Sequence, residues 1–133
     1  MKSYFILYVQ DQERARAFYA AALGVQARLH VLGMTEFELP GGGVLGLMPE
    51  EGIKKLLGNK LPDPATARGT PRSELYLVVE EPERHHSKAL QAGGIELSAL
   101  QERSWGHTAA YCLDPDGHVL AFASSPAAKD SAV

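Results

Sequence analysis

The 133 residues are 45% apolar and 22% charged, with 13 Lys and Arg against 16 Asp and Glu, the balance of a soluble globular domain and not of a disordered or fibrous chain. A net charge of −3 with no run of Lys or Arg excludes nucleic acid and anionic membrane surfaces from the expected partners. Folding at this length removes roughly two-thirds of the chain's surface from water, enough for one core and not for two.

Tyr4 to Val9 is aromatic, β-branched and apolar, and reads as a buried strand. It is too short for a signal peptide's apolar segment or a membrane span. Asp11 offers an N-cap oxygen and Glu13 places negative charge in a first helical turn. Ala15, Phe18, Tyr19, Ala22 and Leu23 then form the apolar stripe of a helix lying on a sheet, and Gly24 is its stop. Residues 28–39 and 44–48 predict two or three strands, with Pro40-Gly41-Gly42-Gly43 as a turn. Between 49 and 73, Ile53, Leu56 and Leu57 suit one short amphipathic helical turn. Pro62, Pro64, Gly69 and Pro71 forbid a long regular element, so this stretch is expected to be a linker with a short helical piece, plain connection being preferred to a lid over the pocket.

The second half repeats the first. Leu75 to Val79 is a strand, and Pro82 opens a helix at its first position. His86, Ala89, Leu90 and Gly93 keep helical spacing, and Gly93-Gly94 ends it. A shift of 70 positions carries Val9 onto Val79, Glu13-Arg14 onto Glu83-Arg84, and Gly24 onto Gly94. Ile95 to Ala99, Ala109 to Leu113 and Val119 to Ala123 supply three further strands, the last two joined by an Asp114-Pro115-Asp116-Gly117 turn. The expected organisation is a single domain over 1–126: module one 1–49, linker 50–73 and module two 74–126, followed by a frayed tail at 127–133. Cys112 is the only cysteine, which rules out an internal disulfide, suits a reducing compartment and leads us to expect a cytoplasmic protein.

This βαβββ duplication, the Phe18-Tyr19…Leu23-Gly24 helix end, the Trp105-Gly106 step and the Asp114-Pro115-Asp116-Gly117 turn resemble the vicinal oxygen chelate superfamily, which includes glyoxalase I, extradiol dioxygenases, and fosfomycin and bleomycin resistance proteins. The resemblance implies an α+β fold in which two βαβββ modules form a half-open mixed-sheet barrel around a cavity, commonly as a homodimer. It also implies a divalent metal site, whose positions carried over by spacing are Tyr4, Gly46, Glu74 and Ala121. Only Glu74 is a good donor there, whereas catalytic zinc or iron normally takes three His or carboxylate ligands. No metal ligand and no cofactor is therefore expected. His30, Glu36, Glu38, His107 and His118 show no metal-ligand spacing of their own.

Strand alternation assigns the walls of such a cavity. With Glu74 facing in, Tyr76 and Val78 follow, as do Tyr4, Ile6, Tyr8, Gly46, Met48, Val119, Ala121 and Ala123, while Trp105 and His107 close one end. Gly46 and Ala121 are expected to leave room for a ligand. Tyr4, Ile6, Tyr8, Gly46, Met48, Glu74, Tyr76, Trp105, His107 and Ala121 are thus the expected ligand pocket, with Glu74 as the candidate catalytic or charge-complementing carboxylate. Glu74 is expected either buried with a raised pKa or paired with Arg72 or Arg103 near solvent. The function expected is metal-independent binding of a small organic molecule. The alternative is a metal-dependent lyase, isomerase or dioxygenase using Zn, Ni, Fe or Mn.

Overall fold

The computed structural model describes residues 1–126; the expected tail at 127–133 lies outside the described residues. Module one runs β1 (Tyr4–Val9), α1 (Gln12–Leu23), β2 (Leu29–Val31), β3 (Met34–Glu38) and β4 (Val44–Pro49). Module two runs β5 (Glu74–Val78), α3 (Pro82–Gln91), β6 (Ile95–Glu102), β7 (Thr108–Leu113) and β8 (Val119–Ser124). Between them lies α2 (Glu50–Leu57), followed by short 3-10 turns at Gly58–Lys60 and Pro64–Ala67.

The two halves share one topology. The strand orders are β1-β4-β3-β2 and β5-β8-β7-β6, with the outer pairs β1/β4 and β5/β8 parallel and the remaining neighbours antiparallel. This is the expected α+β pair of mixed sheets. In each half the helix packs on one face of its sheet, α1 against β3 and β4 and α3 against β6, β7 and β8.

Local chemistry sets the element ends. The Asp11 carboxylate accepts from the Arg14 N–H at 3.0 Å, which caps the first turn of α1. Gly24 ends that helix at φ 75°, a left-handed conformation that costs glycine little. At the end of α3 the helix stops at Gln91, earlier than the Gly93 expected from spacing. There the Gly94 N–H donates to the Ala89 carbonyl at 2.9 Å. A Cβ on Gly94 would sit 2.9 Å from that same oxygen, so the helix end admits only glycine at this point.

The core lies on the helix-bearing faces and is continuous across the two modules. Phe18, Tyr19, Ala22, Phe37, Leu45 and Leu47 from the first half join Leu77, Ala89, Cys112, Leu120 and Phe122 from the second. Fully burying a side chain such as Phe18 or Phe122 contributes about 1.5–3 kcal/mol. Helices α1 and α3 pack on each other, and the His85 ring bonds the Ala22 carbonyl at 2.8 Å while stacking on Phe122. His86 points the other way, to Glu96 at 2.9 Å, so the two neighbouring histidines share no site.

The stretch between the modules carries α2 and two short turns and is tied down by its own contacts. The Ile53 side chain is buried, and Glu50, only 5% exposed, pairs with Arg68 from the end of the second 3-10 turn. Lys54 bridges to Asp63 at 3.2 Å. These contacts fold the segment back on itself. Among the described residues no helix is long and apolar enough to cross a membrane.

Candidate ligand-binding face

The strand registers decide which side chains share a face. Ile6 lies opposite Gly46 and Tyr8 opposite Met48, while Glu74 lies opposite Val119 and Tyr76 opposite Ala121. The alternate residues Leu7, Leu45, Leu77, Leu120 and Phe122 are buried under the helices, as a period of two requires. The set expected to face a cavity therefore occupies the helix-free side of each sheet.

That side is open. Tyr4 is 48% exposed, Ile6 41% and Trp105 55%, so the two modules of one chain do not enclose these residues. Between edge strands β1 and β5 lies a narrow crevice of about 130 Å³, lined by Ile6 and Leu7 on one side and Glu74 and Leu75 on the other. A larger recess of about 700 Å³ opens beyond the end of β5, beside Pro40, Val78, Glu80 and Glu81. It contains none of the expected pocket residues.

On the second sheet the expected residues do converge. Tyr76 is the hub: its hydroxyl accepts from the Trp105 indole N–H at 2.9 Å and lies 2.8 Å from His107 Nδ1. The His107 ring stacks on Tyr76 with centroids 5.8 Å apart, and Trp105 tilts against it at 6.4 Å. When the phenol donates to Nδ1, the His107 ring proton sits on Nε2, where it can serve as a donor to a ligand. Ala121 is buried on the strand beside Tyr76.

Glu74 is exposed and makes no hydrogen bond or ion pair among the described residues, so it is neither buried nor paired with Arg72 or Arg103. Burial is absent because its strand opens the module at a sheet edge. The two arginines are engaged elsewhere. Arg103 donates to the Ala99 and Ala109 carbonyls and covers the Tyr111 ring at 5.0 Å. Arg72 binds the Ala67 carbonyl and lies 3.3 Å from the His118 ring. Tyr111, opposite Ala121 in register, has its phenol pKa raised by desolvation and by the negative charge of Glu74.

The first sheet's open face carries a polar cluster that the sequence did not single out. Arg28 bonds Glu36 and Glu38 at 2.8 Å each, and donates to the Tyr4 hydroxyl at 2.9 Å. These carboxylates hold the Arg28 guanidinium firmly in its charged form. Glu36 and Glu38 were legible as sharing a strand face. Arg28 was not, because only β2–β3 pairing brings residue 28 across to them.

The donor set at the four carried-over positions does not fit a divalent ion. Glu74 supplies one carboxylate. Tyr4 is occupied by the Arg28 cation, which repels a second positive charge. Gly46 does not leave the expected room either, since a Cβ there would meet Ile6 Cγ1 at 3.1 Å and Met34 Sδ at 3.3 Å. Among the described residues no three His, Cys, Asp or Glu side chains gather where they could share a metal.

Comparison with known proteins agrees with this architecture. The chain is 27% identical over 112 residues to the uncharacterized proteins Mb0911c of Mycobacterium bovis and Rv0887c of Mycobacterium tuberculosis. The match covers 77% of this chain but only 66% and 59% of those longer proteins. A glyoxalase-related enzyme from Fulvimarina pelagi superposes with a TM-score of 0.80 at 22% identity, covering 95% of this chain and 88% of that one. A glyoxalase/bleomycin resistance protein/dioxygenase family enzyme from Burkholderia phytofirmans PsJN gives 0.77 at 19% identity, covering 92% and 96%. At such identities these structures speak for the fold alone. The family profile itself matches residues 3–122, nearly the whole described chain, so the chain belongs to the Glyoxalase/Bleomycin resistance protein/Dioxygenase superfamily, the vicinal oxygen chelate group.

Proposed function

We propose that this chain binds a small organic molecule, without a metal, against the open face built by Glu74, Tyr76, Trp105 and His107. The observation that carries the reading is the free carboxylate of Glu74 on the same face as a hydrogen-bonded aromatic group. An exposed carboxylate beside aromatic faces attracts a cationic or aromatic amine through charge and cation–π contact, worth about 0.5–2 kcal/mol for the latter. Tyr76 and Trp105 supply stacking area, and the His107 Nε2–H orients a ligand acceptor. The donor set around Glu74 supports binding over metal chemistry.

A second copy of the chain is the natural roof for this face. Leu29, Val31, Val78, Ile95 and Leu97 are exposed apolar residues, and such surface is commonly covered by association. We therefore read the working unit as a homodimer whose partner closes the binding face, and the compartment as cytoplasmic, given the free buried thiol of Cys112.

The reading is tested by a thermal-shift screen of aromatic amines and quaternary ammonium compounds beside neutral compounds of equal shape. Cationic hits whose affinity falls about tenfold or more in Glu74→Gln support it, a loss of about 1.4 kcal/mol. Equal affinity of that variant for every hit refutes the charge role.

A further inference from the structure

The segment between the modules builds a second recess, remote in character from the aromatic face. A cleft of about 360 Å³ lies between β1 and this segment, walled by Ile6, Leu7, Leu61, Pro62 and Pro64, with Arg72, Ser73 and His118 at its polar end. The walls are almost wholly apolar, and the volume sits at the small end of the range of ligand sites.

The polar end is held in place from several sides. His118 is 3% exposed, with Nε2 at 3.1 Å from the Tyr8 carbonyl and Nδ1 at 3.3 Å from Ser73 Oγ. Arg72 lies against that ring and is tied to the Ala67 carbonyl. Among the described residues, however, its charge has no counter-ion. Each of the other arginines is paired with a carboxylate or, for Arg103, folded onto backbone carbonyls. Among the described residues Arg72 has no acidic partner, and part of its five-donor fork remains unused.

A fixed guanidinium at the mouth of an apolar cleft selects one chemistry: a carboxylate for the charge and a short hydrocarbon or single ring for the walls. We propose that this cleft is a binding site for a small apolar monocarboxylate, with Arg72 as the carboxylate-binding residue and Leu61, Pro62 and Pro64 as the tail contacts. The cationic selectivity of the Glu74 face is opposite, so the two sites take different ligands, although the cleft shares Ile6, Leu7, Ser73 and His118 with the crevice beside Glu74.

The test titrates the full chain calorimetrically with sodium octanoate, with 1-octanol and octylammonium as probes of the same tail. The expected result is saturable octanoate binding, at least about tenfold weaker for octanol, with amide chemical shifts moving at Leu61, Arg72 and His118. Arg72→Gln is expected to lower octanoate affinity at least about tenfold, while Arg84→Gln, on α3 and paired with Glu81, leaves it unchanged. Leu61→Asp, which adds a negative charge to the wall without touching the Arg72 bonds, is expected to abolish octanoate binding and serves if Arg72→Gln does not fold. Equal affinity for octanol and octanoate, undiminished binding by a folded variant, no saturable binding at millimolar octanoate, or shifts centred on Tyr76 and Trp105 would each overturn the proposal.

Discussion

The Tyr19 hydroxyl donates to Asp114 Oδ2 at 2.6 Å, joining residues 95 positions apart. Tyr19 is fully buried in α1, and Asp114 is the first residue of the turn between β7 and β8. The second carboxylate oxygen of Asp114 accepts from the backbone N–H groups of Asp116 and His118 at 2.9 Å each. One carboxylate thus shapes the turn of module two and ties it to the helix of module one. Burial and the Asp114 charge push the Tyr19 phenol well above its ordinary pKa, so it remains a donor. Tyr19→Phe keeps the ring and removes the bond, leaving a buried carboxylate oxygen unmet. The expected cost is about 1.5–3 kcal/mol, read as a lower urea midpoint with an unchanged slope.

Tyr76 holds both Trp105 and His107 through one hydroxyl. Tyr76→Phe leaves the ring stack but frees both partners, so ligand affinity should fall by about 0.5–1.5 kcal/mol while stability changes little. Trp105 is the chain's one tryptophan. Its fluorescence reports the change directly: a more solvated, red-shifted emission in the variant, and quenching by bound ligand in the native protein. An unaltered emission spectrum in Tyr76→Phe would mean that the indole is not held by this bond.

Glu50 is buried while the side chain of its partner Arg68 is 47% exposed. Removing the arginine strands a carboxylate in apolar surroundings, which costs more than the pair's exposed half suggests. Arg68→Ala should therefore loosen residues 58–73 and speed proteolysis there, with a stability loss of roughly 1–2 kcal/mol. Glu50→Gln, which removes the charge and keeps the shape, should be milder. The reverse order would contradict the burial argument.

Burial and the neighbouring Asp114 raise the Cys112 thiol to about 11 from an ordinary 9.0. Because the thiolate is the reactive form, native Cys112 should alkylate far more slowly at pH 8 than in urea-unfolded chain. The sign for stability follows. The folded state holds its proton more tightly than the unfolded one, so this contribution is complete below pH 9.0 and is lost as pH rises through about 11. A denaturation series from pH 8 to pH 11 should show that decline, and Cys112→Ser should weaken it.

The sequence carried the fold because its signals are local and repeated. The β1 boundaries, the Asp11 cap, the Gly24 stop and the buried stripe Ala15, Phe18, Tyr19, Ala22 and Leu23 all stand as read. Alternation also sorted the two faces of each sheet. The site was less legible, since parity tells which face a side chain occupies but not what covers that face. Glu74 and Tyr4 fall on the expected sides yet open to solvent, and Gly46 is filled by Ile6 and Met34 from neighbouring strands. Arg28 and Arg68 escaped notice, and Arg72 was read only as a partner for Glu74, for a common reason: each acquires meaning from partners that tertiary folding brings to it.

The family's chemistry turns on whether an ion takes part, and that question has a direct answer. A cationic hit from the screen is titrated calorimetrically into protein purified without chelators, before and after dialysis against EDTA, and after adding Zn, Ni, Fe or Mn. Affinity unchanged within about twofold throughout is the predicted result. Binding that disappears on chelation and returns with one of these ions would contradict the account.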